Sequence, residues 1–441
     1  MGPVRTPALP PTAVLYSAPR SRRRDGSQAP GETGDGLSER LHFDLNGDQR
    51  ATEALVRDFA AREVQPSIRK NDAAKVFDRT ILTRMADLGI LGLSVPEHYG
   101  GPGLDYISLG LACEELEFVD TSLRVILSVH LGLNSLSILS WGTEEQKERY
   151  LRPQAEGRRI ATYGLTEPDA GSDAVGIRST ARRDGSDYIL SGEKHWISLA
   201  EIADNFLVIA WTDPDKRARR DHTGLSAFLV ERAFHGFESG NMTHKWGIRA
   251  GNTGWFRMHD VRVPAANRLG EEGEGFKIAM FALDQGRFTV AAGATGLIRA
   301  CREASVRWAL SRKTFDQPIA RHQLVKQMIA HMERDYQVSR LLWLRAGDLK
   351  NRGVRNTRET SLAKWVSTVA SERAASDAIQ IHGCYGYSDE FPVGRFWRNS
   401  KGAVIYEGTR EIHTLMQADY ALGLRRDRPT RVTLPPFSDG I

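Results

Sequence analysis

The spacing of apolar residues changes twice along this chain, and that change limits the folds open to it. From about Asp48 to Gly157 apolar residues recur three and four apart, as in "RATEALVRDFAAREV" and "ISLGLACEELEFV". That spacing gathers them on one face of a helix. From about Tyr163 to Asn267 the spacing shortens to alternation. There "YILSG", "FLVIAWT" and "LSAFLVE" are cut by Asp184-Gly185 and Ser191-Gly192, the punctuation of a β unit. Helical spacing returns from Gly273 to about Leu422, in "LIRACREASVRWALSR" and "LVKQMIAHMERDYQVSRLLWLRAGDL". The chain therefore reads as multi-domain α+β, with a β unit set between two helical bundles. The divisions fall at 41–160 for the N-terminal helical domain, 161–270 for the middle β domain and 271–425 for the C-terminal helical bundle. A basic leader (1–40) and a tail (426–441) flank them.

A formal net charge of +5 raises the question of a nucleic-acid partner. Its location argues against one. Arg5, Arg20, Arg22, Arg23 and Arg24 lie in the first 24 residues with no acid among them, so the remainder is neutral. The leader is rich in Pro, Gly and Ser and is expected to be disordered. Five prolines (Pro3, Pro7, Pro10, Pro11, Pro19) would break the amphipathic helix of a mitochondrial transit peptide. Arginine outnumbers lysine 48 to 12 over the whole chain, so a bacterial cytoplasmic protein is expected. The most apolar stretch, Leu123 to Trp141, carries Arg124, His130 and Asn134 and is not read as a membrane span. Cys113, Cys301 and Cys384 are far apart, with no metal-ligand spacing. That composition suits a reducing compartment.

Two stretches carry chemistry. "YGLTEPDAGSD" (163–173) gathers small residues that let backbone amides approach an anionic or planar ligand, with Thr166 and Ser172 as hydroxyl donors. No GxGxxG fingerprint accompanies it, and alone it reads equally as a loop. "VIYEGTREIH" (404–413) sets Glu407 between Tyr406 and Gly408. The ring removes water from one side of the acid, and glycine lets backbone approach a ligand. Between them lie "EKHWIS" (193–198), "LDQGRF" (283–288), "RKTFDQPIARHQ" (312–323) and "QIHGCYGY" (380–387). Six motifs in this order resemble the acyl-CoA dehydrogenase family of flavoproteins over roughly residues 48–423. In appearance the chain is nearest the glutaryl-CoA dehydrogenase branch.

The resemblance implies a β-sandwich middle domain, bound FAD, a homotetramer and an electron-transfer flavoprotein as acceptor. It implies that Tyr163, Leu165, Thr166, Gly171 and Ser172 cradle the flavin and its phosphates, and that Trp196, Ile197 and Ser198 flank its reactive side. Ser198 stands where threonine is commoner but keeps the hydroxyl. Arg312, Lys313, Thr314, His322, Gln323, Gln380, Ile381, Gly383 and Cys384 match positions that reach a neighbouring subunit's FAD. Arginine suits its pyrophosphate, and Cys384 replaces a usual glycine. Thr409 and Glu411 match the last FAD contacts, the latter a usual glutamine.

By the same resemblance Glu407 removes the α-proton of an acyl thioester while hydride leaves the β-carbon for the flavin. Desolvation would raise its basicity, and its own N–H would hold the thioester oxygen with the flavin ribityl chain. Gly408 leaves space for the thioester, and Ser172 also counts among substrate contacts. Read alone, Glu407 is equally an acid capping the helix that begins at "REIH". A subgroup of the family carries its base on the "LDQGR" helix; Gly286 stands there and cannot accept a proton. Asp284 and Arg287 match positions that hold the CoA arm, or form an i,i+3 surface pair. Glu117 and Arg124 match positions near the acyl tail in the glutaryl branch, where the arginine holds a distal carboxylate. Alternatively Asp120 neutralises Arg124 on the helix surface. The substrate is thus a dicarboxyl thioester, a short or branched acyl-CoA, or an acyl group on a carrier protein. An oxygen-using flavin relative and a non-catalytic helical scaffold are the other classes.

Overall fold

Asn46 and Gln49 each accept a hydrogen bond from the other's N–H, a capping box that starts the first helix. The computed structural model describes residues 44–427, 432, 434 and 435; the expected leader and most of the tail lie outside them. The first helical layer comprises α1 (Gly47–Phe59), α2 (Gln65–Ala74), α3 (Thr80–Asp87), α4 (Tyr106–Val119), α5 (Thr121–Leu127) and α6 (Leu136–Trp141). A π-helical segment, Ser128–Ser135, joins α5 to α6, making Thr121–Trp141 one continuous 21-residue rod. This rod is long and apolar enough to cross a membrane, yet its apolar window lies wholly inside the protein. Its polar groups are used there. His130 Nδ1 accepts from the Ala161 N–H at 3.0 Å, and Asn134 Nδ2 donates to the Thr162 carbonyl at 2.7 Å. The rod is the platform on which the first strand is laid.

Eight strands follow: β1 (Ala161–Gly164), β2 (Thr180–Asp184), β3 (Asp187–Ser198), β4 (Asn205–Trp211), β5 (Leu225–Glu231), β6 (Phe237–Asn241), β7 (Thr253–Pro264) and β8 (Arg268–Leu269). Their order is β6-β7-β3-β2-β4-β5-β8, with β1 parallel to β4. A single residue pair, Thr180 with Trp211, joins β2 to β4, and the sheet folds there into two facing halves. Phe206 of β4 meets Phe237 and Phe256 of the opposite half at centroid distances of 4.5 and 5.0 Å. The result is the expected sandwich. Strand β4 is buried at every position, whereas β3 and β7 largely alternate, as strands with one solvated face do.

The last layer holds α7 (Gly275–Ser311), α8 (Gln323–Asn351), α9 (Thr357–His382), α10 (Val393–Ala403) and α11 (Arg410–Ala421). Helix α7, 37 residues long, packs against α4, α8, α9 and the π segment of the rod. The loop carrying Glu407 closes over α7 from the α10–α11 connection.

Candidate active site

Thr409 is the N-cap of α11, its hydroxyl accepting from the Ile412 N–H at 3.3 Å. The capping role open to Glu407 is therefore filled by its neighbour. Glu407 itself has φ +55° and Gly408 φ +96°. A left-handed non-glycine residue costs on the order of 1–3 kcal/mol and persists only where its surroundings hold it. Three hydrogen bonds do so. Lys364 Nζ donates to the Tyr406 carbonyl at 2.9 Å and to the Gly408 carbonyl at 2.6 Å, while Arg287 Nε donates to the Glu407 carbonyl at 3.2 Å.

The Glu407 carboxyl points into the core. Ser128 Oγ donates to Oε1 at 3.2 Å, and Ser128 lies 2.5 Å from Thr289 Oγ1. Oε2 is sealed from solvent and has no hydrogen-bond partner among the described residues. It lies where a side chain on Gly286 would begin: a Cβ there would be 2.1 Å from Oε2 and 2.7 Å from Cδ. The "LDQGR" glycine is thus the space the carboxyl occupies. Burial pushes Glu407 above the ordinary carboxylate range, against the pull of Arg124, Lys364 and Arg287. His413 stands behind Gly408, held by Ser361 Oγ at 2.8 Å, and burial beside Lys364 and Arg287 pushes it down to about 2. It is neutral.

Arg124 does not pair with Asp120. The backbone is extended at Asp120 (φ −162°, ψ 140°), where α4 ends and α5 begins, so the two residues do not share one helical face. Asp120 caps α5 through the Ser122 N–H and pairs with Arg395 at 3.0 Å. Arg124, 1% exposed, instead donates from Nε to Glu117 Oε2 at 2.6 Å and from Nη2 to the Tyr406 hydroxyl. A Cβ on Gly293 would lie 2.2 Å from Glu117 Oε2, so α7 again gives way to a charged group. Gly286 and Gly293 are seven residues apart, about 10 Å along α7. Asp284 and Arg287 do form the i,i+3 pair, at 2.9 Å, but Arg287 is only 5% exposed. Asp284 also accepts from Thr357 Oγ1 at 2.6 Å, which ties this pair to the Glu407 loop and to α9.

The other expected site residues fall into two groups. Near Glu407 lie Tyr163, whose buried hydroxyl has no partner among the described residues, and the loop after β1. Thr166 accepts from the His195 N–H at 3.0 Å, joining that loop to the bulge at Trp196. Leu165 is buried, its carbonyl accepting from Lys194 Nζ at 3.0 Å, while Gly171 and Ser172 are exposed. Trp196 has φ +60° and holds its ring 61% exposed, with Ile197 buried behind it and Ser198 half-buried. Thr409 and Glu411 follow at the start of α11, Glu411 paired with Arg410.

The second group gathers at the far end of α7. Arg312 lies over the Tyr385 ring at 5.9 Å, and Trp308 stacks on His382 at 5.2 Å. These contacts bring the 312–323 stretch to Gln380, Ile381, Gly383 and Cys384 at the end of α9. Thr314 Oγ1 meets His322 Nε2 at 2.9 Å, with Gln323 exposed beside them. From Arg287 to Arg312 the helix runs 25 residues, about 37 Å. The Tyr163 group, beside Arg287, and the Arg312 group therefore lie toward opposite ends of that span.

Residues 46–158, 162–261 and 273–422 match the N-terminal, middle and C-terminal domains of acyl-CoA dehydrogenase. The chain belongs to the acyl-CoA dehydrogenase family. An acyl-CoA dehydrogenase of Bacillus subtilis is 39% identical over 84% of this chain and 96% of its own length. The structure of butyryl-CoA dehydrogenase from Megasphaera elsdenii superposes with TM-score 0.84 at 36% identity, covering 87% of this chain and 100% of that one. A glutaryl-CoA dehydrogenase bound to glutaryl-CoA gives 0.82 at 33% identity, over 87% and 98%. This acyl-CoA dehydrogenase is an oxidoreductase whose cofactor is FAD.

The residues present fit that cofactor. An exposed tryptophan ring held by a left-handed backbone, an unpartnered buried tyrosine hydroxyl and open space at Gly171 each suit a planar ligand. Exposed Arg312 and the open, left-handed Gly383 suit a pyrophosphate at the other end of α7. Sequence reading missed Lys364, Ser128, Thr289 and His413. The signal for Lys364 was a lone cation inside the apolar face of "SLAKWVSTVA". Nothing local pointed to the others.

Proposed function

We propose that this enzyme converts a short acyl-CoA to its α,β-unsaturated thioester, with Glu407 as the base. The observation that carries the reading is the sealed, unpartnered Oε2 of Glu407. A carboxylate without water or donors on that oxygen is a stronger base than a solvated one, and a substrate α-proton is the partner it lacks. Ser128 fixes the carboxyl's rotation through Oε1. The Glu407 N–H, with no partner among the described residues, donates to the thioester oxygen as enolate charge develops. FAD, held by Tyr163 to Ser172 and Trp196 to Ser198, supplies the hydride acceptor. Arg312 to Gln323 and Gln380 to Cys384 serve the cofactor of a second copy, as their distance along α7 supports, and a tetramer completes each site. Electrons pass to an electron-transfer flavoprotein, and the enzyme works in a bacterial cytoplasm, in three domains at 41–160, 161–270 and 271–425.

The short acyl chain is favoured by Arg124. Its charge already meets Glu117 and the Tyr406 hydroxyl, so the distal wall is neutral overall and needs no substrate carboxylate. The similarity to butyryl-CoA dehydrogenase agrees. A glutaryl-type substrate is the second reading, since a buried arginine near the base offers a carboxylate partner. The test is a substrate panel with an artificial electron acceptor, comparing butyryl-, isobutyryl- and glutaryl-CoA, with Glu407→Gln beside wild type. Butyryl-CoA as the best substrate supports the reading and glutaryl-CoA overturns it. A Glu407→Gln enzyme keeping more than about a tenth of the rate contradicts the base, because such a group contributes ~10²–10⁴-fold.

A further inference from the structure

Lys194, Lys350 and Lys364 are each at most 1% exposed. Lys194 pairs with Glu167 at 2.8 Å, and Lys350 donates to Gln285 Oε1 at 2.8 Å and lies over the Phe288 ring at 5.5 Å. Lys364 has no carboxylate within ion-pair distance among the described residues. Burial lowers its pKa, so the fold gives up solvation of a cation to keep it there. What Lys364 holds instead is backbone: the carbonyls of Tyr406 and Gly408, on either side of Glu407. In a trans peptide the C=O and the following N–H point in opposite directions. Holding the Tyr406 carbonyl toward α9 therefore turns the Glu407 N–H away from α9, where among the described residues it meets no acceptor.

Resting on the reading of Glu407 as the base, we infer that Lys364 is its positioning residue. By gripping the carbonyls on both sides, it sets the left-handed turn that aims the Glu407 carboxylate and N–H at one thioester. The carboxylate takes the α-proton and the N–H steadies the oxygen that gains charge, so one ammonium aligns both halves of the proton-transfer step. A lysine with a structural role alone would affect melting temperature and leave the ratio of proton transfer to binding untouched.

The test uses FAD-loaded enzyme carrying Lys364→Met or Lys364→Arg, with Glu407→Gln as reference. Turnover of butyryl-CoA with an artificial acceptor gives kcat and KM. Exchange of the acetyl-CoA methyl hydrogens in D2O, followed by mass, reads α-proton removal alone, because acetyl-CoA has no β-carbon to lose hydride. Lys364→Met should keep KM within ~3-fold while kcat falls ~10²-fold, as for a base displaced by an ångström. The exchange rate should fall in step, and Lys364→Arg should recover most of both. A Lys364→Met enzyme with kcat within ~3-fold of wild type, or one that loses kcat while exchange persists, overturns the inference. Should methionine expel the flavin, Lys364→Gln, which keeps one donor group, is judged by the same thresholds. A fully active Glu407→Gln enzyme would instead remove the base itself, a separate failure.

Discussion

Replacing Gly286 with alanine should disable this enzyme without unfolding it. The new Cβ would lie 2.1 Å from Glu407 Oε2, 2.7 Å from its Cδ and 2.8 Å from Leu133 Cδ2. Non-bonded carbon and oxygen settle at roughly 3.5 Å, so Oε2 must retreat by about 1.4 Å. Leu133 can rotate; the carboxyl, on a loop pinned at three carbonyls, moves only by leaving its place beside Ser128. Misplacement on that scale costs about 10²-fold in rate, equivalent to roughly 2.7 kcal/mol in the barrier. The helix gains in the exchange, since alanine is better than glycine inside a helix by about 1 kcal/mol. The assay is kcat for butyryl-CoA with an artificial acceptor, alongside flavin absorbance and a thermal melt. The expected result is full flavin content, a melting temperature near wild type and kcat lower by about two decades. A kcat within ~3-fold of wild type would refute the placement of the base against α7.

Further outcomes follow from the same geometry. Arg124→Met should lower stability by ~3–5 kcal/mol, because it strands buried Glu117, and Glu117→Gln in the same chain should recover most of it in thermal melts. If the substrate is a short monocarboxylic acyl-CoA, Arg124→Met should not selectively abolish glutaryl-CoA turnover relative to butyryl-CoA; a selective loss favours the dicarboxyl reading. Burial raises Glu407 in the folded state, so folding favours its protonated form. Its contribution is fully present below the ordinary carboxylate range and is lost as pH rises through the raised value. Glu407→Gln should therefore become more stable than wild type as pH increases, with kcat/KM of wild type rising over the same interval; melting curves that stay parallel would count against the shift. Arg312→Ala should weaken FAD retention, and dilution that dissociates wild-type subunits should do the same; monomers that keep flavin as tightly as the oligomer would contradict a shared site.

Much of this protein was decided within short windows of sequence. The switch from helical to alternating spacing and back is local, because each period is written in residues two to four apart, and it dictated helices, sandwich and helices again. The order of "YGLTEPDAGSD", "EKHWIS" and "YEGTREIH" carried the family, and the absence of a side chain at Gly286 left Glu407 as the base to consider. Tertiary structure decided what those windows could not contain. Asp120 and Arg124 read as one helical face until the chain turned extended at Asp120, handing the arginine to Glu117. Lys364 lies 43 residues before the base whose flanking carbonyls it holds, and the Arg312 group lies about 37 Å along α7 from Arg287, which holds the Glu407 carbonyl. Such contacts depend on where packed helices cross, and that is set by the burial of whole faces against one another rather than by any local stretch.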